Sequence, residues 1–293
     1  MNKFSIRDIE NLTRIKAHTL RIWEQRYALF RPKRLESQHR YYDAEDLKVL
    51  LRISHLYHSG YKISHIAAMD SDRLRNLALE KRSDSDNQSV YQNQLIESSI
   101  DFDTRSFETA LQRAIAEHGF EGAMLNVVFP FMQKIGLLWL TGHVIPAQEH
   151  FASTLIMRQL LLHIDRLEKP ADTSSRRVLL FTPPGEMHEI PLLLMQYILK
   201  KNGHQTVYAG AGLGESALAR FCYKESVTEI FFLLITNLTR YCMIDYLKHL
   251  QAALPGKPIY FNSHEEPEKP RLPANTCYLQ NREAILAFAR RPL

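Results

Sequence analysis

Within the twelve residues from Trp139 to His150 (WLTGHVIPAQEH) stand an aromatic plane, the carboxylate of Glu149 and the imidazole of His150. An imidazole nitrogen suits a transition metal, which makes His150 a candidate ligand. A second group lies further on, where Glu186 and His188 follow the apolar run Val178 to Phe181. A neutral imidazole can bind a metal through one nitrogen while a carboxylate holds the other N–H, which is chemistry that a histidine and a neighbouring acid can share. The plainer alternative for the first group is that Trp139 is core and that Glu149 and His150 open a solvated helix.

The elements that must position these groups can be read from periodicity. Phe131, Ile135 and Leu138 repeat at helical spacing, and Gly142 follows where a left-handed residue would end that helix. Pro146 suits the first position of the next helix, which places Glu149 and His150 in its opening turn, where the helix dipole favours a negative side chain. Trp139 and Glu149 are then expected to face each other across a short helical hairpin. Two further helical patterns, one over Tyr91 to Ile100 and one capped by Asp103 that ends at Gly119, precede the helix that carries Met124, Val127, Val128 and Phe131, and with the helix after Pro146 they complete a four-helix bundle over 91–170.

From residue 175 to 293 the pattern becomes strand then helix. Val178 to Phe181, Thr206 to Ala209, Ile230 to Ile235, Pro258 to Phe261 and Thr276 to Leu279 read as strands. Ile190 to Lys201, Ser216 to Lys224 and Met243 to Ala253 read as the helices between them. This alternation predicts an α/β Rossmann-like (flavodoxin-like) parallel sheet with its ligand beyond the carboxyl ends of the strands, the edge that carries Glu186 and His188. Gly210, Gly212 and Gly214 follow the second strand without a phosphate-binding lysine, and read as a loop.

Residues 1–75 differ in character. Ser5 and Asp8 form a capping pattern for a short helix ending near Asn11, and a second helix runs from about Lys16 to Arg26, which together make a helix-turn-helix. Asp43 caps a further helix from Ala44 to Tyr57. Between residues 16 and 40 there are seven basic residues against two acidic ones, a net of +5 equal to that of the whole chain. Such a concentrated patch is the footprint of nucleic-acid binding. Residues 76–90 read as a linker, with the polar run Arg82 to Ser89 a flexible tether.

Three scattered cysteines give neither a disulfide framework nor a zinc site. No apolar run approaches the roughly 18 residues that span a bilayer, and no export leader is evident, so a cytoplasmic protein without a membrane partner is expected. No Ser/His/Asp arrangement, metalloprotease helix or P-loop points to catalysis.

The string Leu20-Arg-Ile-Trp-Glu-Gln-Arg-Tyr27 resembles the recognition-helix signature of the MerR family. Arg31-Pro-Lys33-Arg34 and His39-Arg40-Tyr41-Tyr42 resemble that family's wing, although Ser37 and Gln38 replace its glycine-rich turn and Arg14 replaces a small turn residue. The resemblance implies a winged helix-turn-helix that contacts a double-stranded DNA operator through Lys16, His18, Arg21, Arg26, Arg31, Lys33, Arg34, Arg40 and Tyr41, with Arg21 best able to fork onto guanine. Trp139, nine residues, then Glu149-His150 is similar to the upper-face motif of the cobalamin-binding helical domain of MerR-type, light-responsive repressors. That likeness implies adenosylcobalamin, with Trp139 over the upper axial group, His188 as lower cobalt ligand and His150 as a ligand once light has broken the cobalt–carbon bond.

Thr236-Asn-Leu238 stands where the family has Ser-x-Leu. Glu186 replaces an aspartate, Pro191 a glycine, and Asn262 and Ser263 a pair of glycines beside the nucleotide tail. The function implied is transcriptional regulation, as a repressor that forms dimers or tetramers. One alternative is a cobalamin-independent regulator whose C-terminal half serves oligomerisation or protein docking; another is a corrinoid enzyme subunit.

Overall fold

A computed structural model of the protein describes residues 4–30, 32–34, 40–79, 84–140, 144–167, 176–235, 242–267 and 272–291. The chain divides into two compact units, Met1–Leu155 and Ile156–Leu293.

The first unit opens with α1 (Ile6–Thr13) and α2 (Ala17–Tyr27). Ser5 and Asp8 cap α1 reciprocally, as their spacing predicts, but the helix runs two residues past the expected stop. There the Thr13 hydroxyl donates to the Ile9 carbonyl at 2.6 Å and Arg14 turns the chain at φ 57°. Strands β1 (Lys33–Arg34) and β2 (Arg40–Tyr41) pair antiparallel as the wing. Its turn, with Ser37 and Gln38, lies outside the described residues. Asp43 and Asp46 cap α3 (Ala44–His58), followed by α4 (Ile63–Ala67) and α5 (Ser71–Leu79). From α3, Ser54 and His58 both reach the Thr13 carbonyl, at 2.8 and 2.9 Å, which anchors the turn between α1 and α2.

The expected tether is corrected by α6 (Asp84–Asp101), which includes residues 84–89. A polar stretch without periodicity still propagates as helix when the turns beyond it are fixed, and here Tyr91, Leu95 and Ile96 are buried. Nor does the segment free the two regions it joins, because α6 packs on α3. Arg52 forms a two-pronged ion pair with Glu97 (3.1 and 2.5 Å), and Lys48 reaches Asp101 at 2.6 Å.

Beyond α6 lie α7 (Thr104–Ala123), a wide π-type turn (Met124–Val128), α8 (Phe129–Leu140) and α9 (Pro146–Asp165). Gly119, at φ 68° and ψ 164°, breaks the helical path inside α7, where the sequence places a helix end. Pro130 accounts for the wide turn: it lacks the N–H that would bond to the Asn126 carbonyl. Gln92 of α6 donates its amide to that carbonyl at 3.1 Å instead.

The second unit is a five-stranded parallel sheet of β3 (Arg177–Phe181), β4 (Gln205–Gly210), β5 (Glu229–Leu234), β6 (Ile259–Ser263) and β7 (Thr276–Tyr278), in the order β4-β3-β5-β6-β7. Helices α10 (Ile190–Lys201), α11 (Glu215–Lys224), α12 (Met243–Ala253) and α13 (Arg282–Ala289) connect or follow the strands. The last of these is absent from the sequence reading. Because β4 lies on one side of β3 and β5 on the other, the chain reverses direction across the sheet at β3 and β5. A crevice at that switch point is where open α/β sheets bind ligands.

Candidate functional site

The buried face of α2 carries Leu20 and Trp23, so the opposite face is set by 3.6-residue periodicity. His18, Arg21 and Arg26 lie exposed on it, with Lys16 at its N-cap. Glu10 holds the start of α2, accepting from Lys16 Nζ and from the Ala17 N–H, both at 3.0 Å. The Lys16 hydrogen bond, with that of Ala17 beside it, lowers the Glu10 pKa.

The wing is tied into the fold by charge. Lys33 pairs with the Asp43 carboxylate, a hydrogen bond that raises its pKa, and Arg40 Nε lies 3.6 Å from Glu24 of α2. Two of the expected phosphate contacts thus also fix the wing's position against its own domain. Tyr41 is half-buried in β2. Arg31 and the Arg34 side chain lie outside the described residues.

In the sheet unit, Glu186 and His188 come together in the loop after β3. Glu186 is fully buried, and its Oε1 accepts from the His188 N–H at 3.0 Å and from Nδ1 of the ring at 2.5 Å. Its Oε2 accepts from the Ile235 N–H, just past β5, at 2.8 Å. One carboxylate therefore joins the two strand ends that flank the switch point. With Nδ1 held in this way, Nε2 is the ring nitrogen that could serve a metal, and the side chain is 52% exposed.

Thr182, which the sequence reading passed over, supports the same loop: its hydroxyl donates to the Glu186 carbonyl at 2.5 Å and accepts from the Gly212 N–H at 3.1 Å. The available signal was a hydroxyl residue directly at a strand's carboxyl end. Thr236 and Leu238 lie outside the described residues. Asn262 and Ser263, which stand where the family has paired glycines, are the last two residues of β6 and do not lie beyond it as the sequence suggests; the Asn262 amide donates to the Leu279 carbonyl and the Ser263 hydroxyl to that of Glu265, each at 2.6 Å.

In the helical region, Glu149 lies in the first turn of α9, as expected, and His150 follows directly after it. Glu149 accepts from the Ser153 hydroxyl at 2.5 Å, and His150 is 74% exposed with Nε2 3.7 Å from Glu149. Trp139 lies in the last turn of α8, and its side chain is outside the described residues, as are residues 141–143. Gln148 was missed by the sequence reading. Buried in the same turn, it accepts from the Ile145 N–H at 3.1 Å and donates to the Ile100 carbonyl at 2.8 Å.

Residues 4–72 match the MerR HTH family of regulatory proteins, and residues 91–163 match the B12 binding domain. The HTH-type transcriptional repressor CarA of Myxococcus xanthus is 30% identical over 229 residues, which cover 74% of this chain and 71% of that protein. The chain belongs to this family of MerR-type repressors. A second family member from M. xanthus, the HTH-type transcriptional repressor CarH, is 24% identical over 258 residues, 85% of each chain. The monomethylamine corrinoid protein of Methanosarcina barkeri superposes with a TM-score of 0.53 at 14% identity, over 67% of this chain and 95% of its own, a likeness of fold alone.

The protein is therefore a DNA-binding transcriptional regulator that carries a B12 binding domain, and the corrinoid-enzyme alternative is set aside. Among the described residues no helix is long and apolar enough to cross a membrane.

Proposed function

We propose that this family member is a cytoplasmic repressor that takes adenosylcobalamin as its sensory ligand and binds its operator as a dimer or tetramer, with light changing both assembly and DNA affinity. The reading is carried by Glu186 and His188: an imidazole whose tautomer is set by a buried carboxylate, at the ligand edge of a parallel sheet. Among the described residues no group of three or more His, Cys, Asp or Glu side chains is placed to hold a metal ion. An axial imidazole suits a metal that brings its remaining ligands with it, as cobalt in a corrin does.

His188, with Glu186 as its orienting partner, would hold the cobalt. In the helical domain, Trp139, Glu149 and His150 would be the residues that meet the cofactor, with His150 the candidate ligand in the light. The corrin supplies a cobalt–carbon bond that light breaks. A ligand shifts an equilibrium only between states it binds unequally, so the two assembly states must differ in their hold on the cofactor.

The full chain, reconstituted with adenosylcobalamin in the dark and freed of unbound cofactor, should keep a cobalt-linked visible spectrum that changes under green light. His188→Ala should alter the dark spectrum. A protein that emerges colourless loses the sensory half of the proposal.

The hydrogen-bonded side chains of Asn262 and Ser263 favour a second reading, in which the C-terminal half serves oligomerisation or protein docking without cobalamin. On that reading His188→Ala leaves repression unchanged.

A further inference from the structure

The exposed face of α2 is polar except at one place. His18, Arg21, Ile22 and Gln25 follow one another at i, i+3, i+4 and i+7, and all four side chains are exposed. Ile22 stands inside this stripe, 50% exposed, with Arg21 before it and the exposed Arg26 one turn further on. Single exposed apolar residues are common on protein surfaces and by themselves mean little. This one is set apart by position: it lies at the middle of the second helix of a helix-turn-helix, one residue after Arg21 and on the same exposed stripe as His18, and that helix is the one that meets base edges. Its basic surroundings suit a polyanion and disfavour an apolar protein partner.

In the major groove of a duplex the apolar group displayed on the base edges is the C5 methyl of thymine. We infer that Ile22 reads a thymine methyl in the operator, beside the base pair contacted by Arg21. A β-branched side chain is stiff at χ1 in a helix, so little rotamer freedom is lost on contact. The inference rests on the DNA-binding reading and adds a specificity-determining residue to it, one that discriminates by shape where its neighbours discriminate by hydrogen bonds.

The test begins with a random-sequence duplex library, from which the full-length protein, with and without adenosylcobalamin in the dark, selects its preferred site. Thymines of the selected duplex are then replaced one at a time by deoxyuridine, which removes the methyl and keeps the pairing. The wild-type protein should bind one such duplex about fourfold more weakly, the worth of one buried methyl group. Ile22→Ala should bind that duplex and its thymine parent equally, and Ile22→Val should retain most of the discrimination.

Equal wild-type affinity for all the uracil duplexes overturns the inference while leaving DNA binding intact. So does an Ile22→Ala protein that still discriminates, since Ile22 would then act through packing or assembly. A library that yields no enriched duplex removes the DNA-binding reading, and this inference falls with it.

Discussion

Glu186 concentrates at one residue what the proposed site needs. Its two oxygens, buried from the surface, accept from three donors, and hydrogen bonds to a carboxylate are stronger than neutral ones when charge assists them. Glu186→Gln keeps the shape and reverses part of the chemistry, because the new amide must point N–H groups at either the His188 or the Ile235 donor. The substitution should lower stability by about 1–3 kcal/mol in urea unfolding and cut cobalamin affinity roughly 10–100-fold in equilibrium titration. Unchanged values in both measurements would show that the carboxylate does not support the loop.

Lys134 shows the opposite balance, with burial, joined by the nearby charge of Arg14, pushing its pKa down from 10.5 to about 8. Its ammonium donates to the Gln92 side-chain oxygen at 2.9 Å, a neutral partner that does not restore the lost solvation. Below pH 8 the folded chain holds this charge at a cost that the unfolded chain does not bear. Between about pH 8 and 10.5 the folded form has released the proton while the unfolded form keeps it, so stability rises with pH, by up to about 3 kcal/mol. Lys134→Met should remove this rise when unfolding is followed across that range, and an identical slope in both proteins would contradict the assignment.

At the level of elements, the contact between α3 and α6 decides how the DNA-binding region is mounted. The Arg52 and Glu97 side chains are each about four-fifths buried and meet in two hydrogen bonds. A double-mutant cycle with Arg52→Ala and Glu97→Ala should give a coupling of about 1 kcal/mol, the upper range for pairs with partial solvent access. Additive single effects would mean that the pair contributes no net stability. None of this was legible in the sequence. Residues 84–89 carry no apolar repeat, and an ion pair between positions 52 and 97 leaves no local mark.

Gln92 is a similar case: its task is set by a carbonyl that Pro130 leaves without a donor 34 residues away. The caps, by contrast, were readable, because Ser5 with Asp8 and Asp43 with Asp46 act over three residues.

For the molecule as a whole, the order of parts followed from changes in sequence period: helix-turn-helix, helical region, then alternating strands and helices. Four of the five strands begin within one residue of their expected starts, and Thr276 opens the fifth as read. The last helix, Arg282–Ala289, escaped notice because it is short and follows the final strand, where no crossover requires a helix. At the proposed ligand edge, the pairing of Glu186 with His188 could be expected from their spacing. The bond from Ile235 could not, since it depends on two strands that are neighbours in space and far apart in the chain.

The seating of α3 on α6 also has a mechanical outcome. An 18-residue helix is a rod of about 27 Å, and a pivot of about 5° at one end carries the other through roughly 2 Å. Displacement on that scale exceeds the tolerance of a hydrogen bond. Because the ion pairs couple α6 to α3, a tilt of the rod by that angle would be enough to move a reading head out of register with its groove, with no part of the chain needing to unfold.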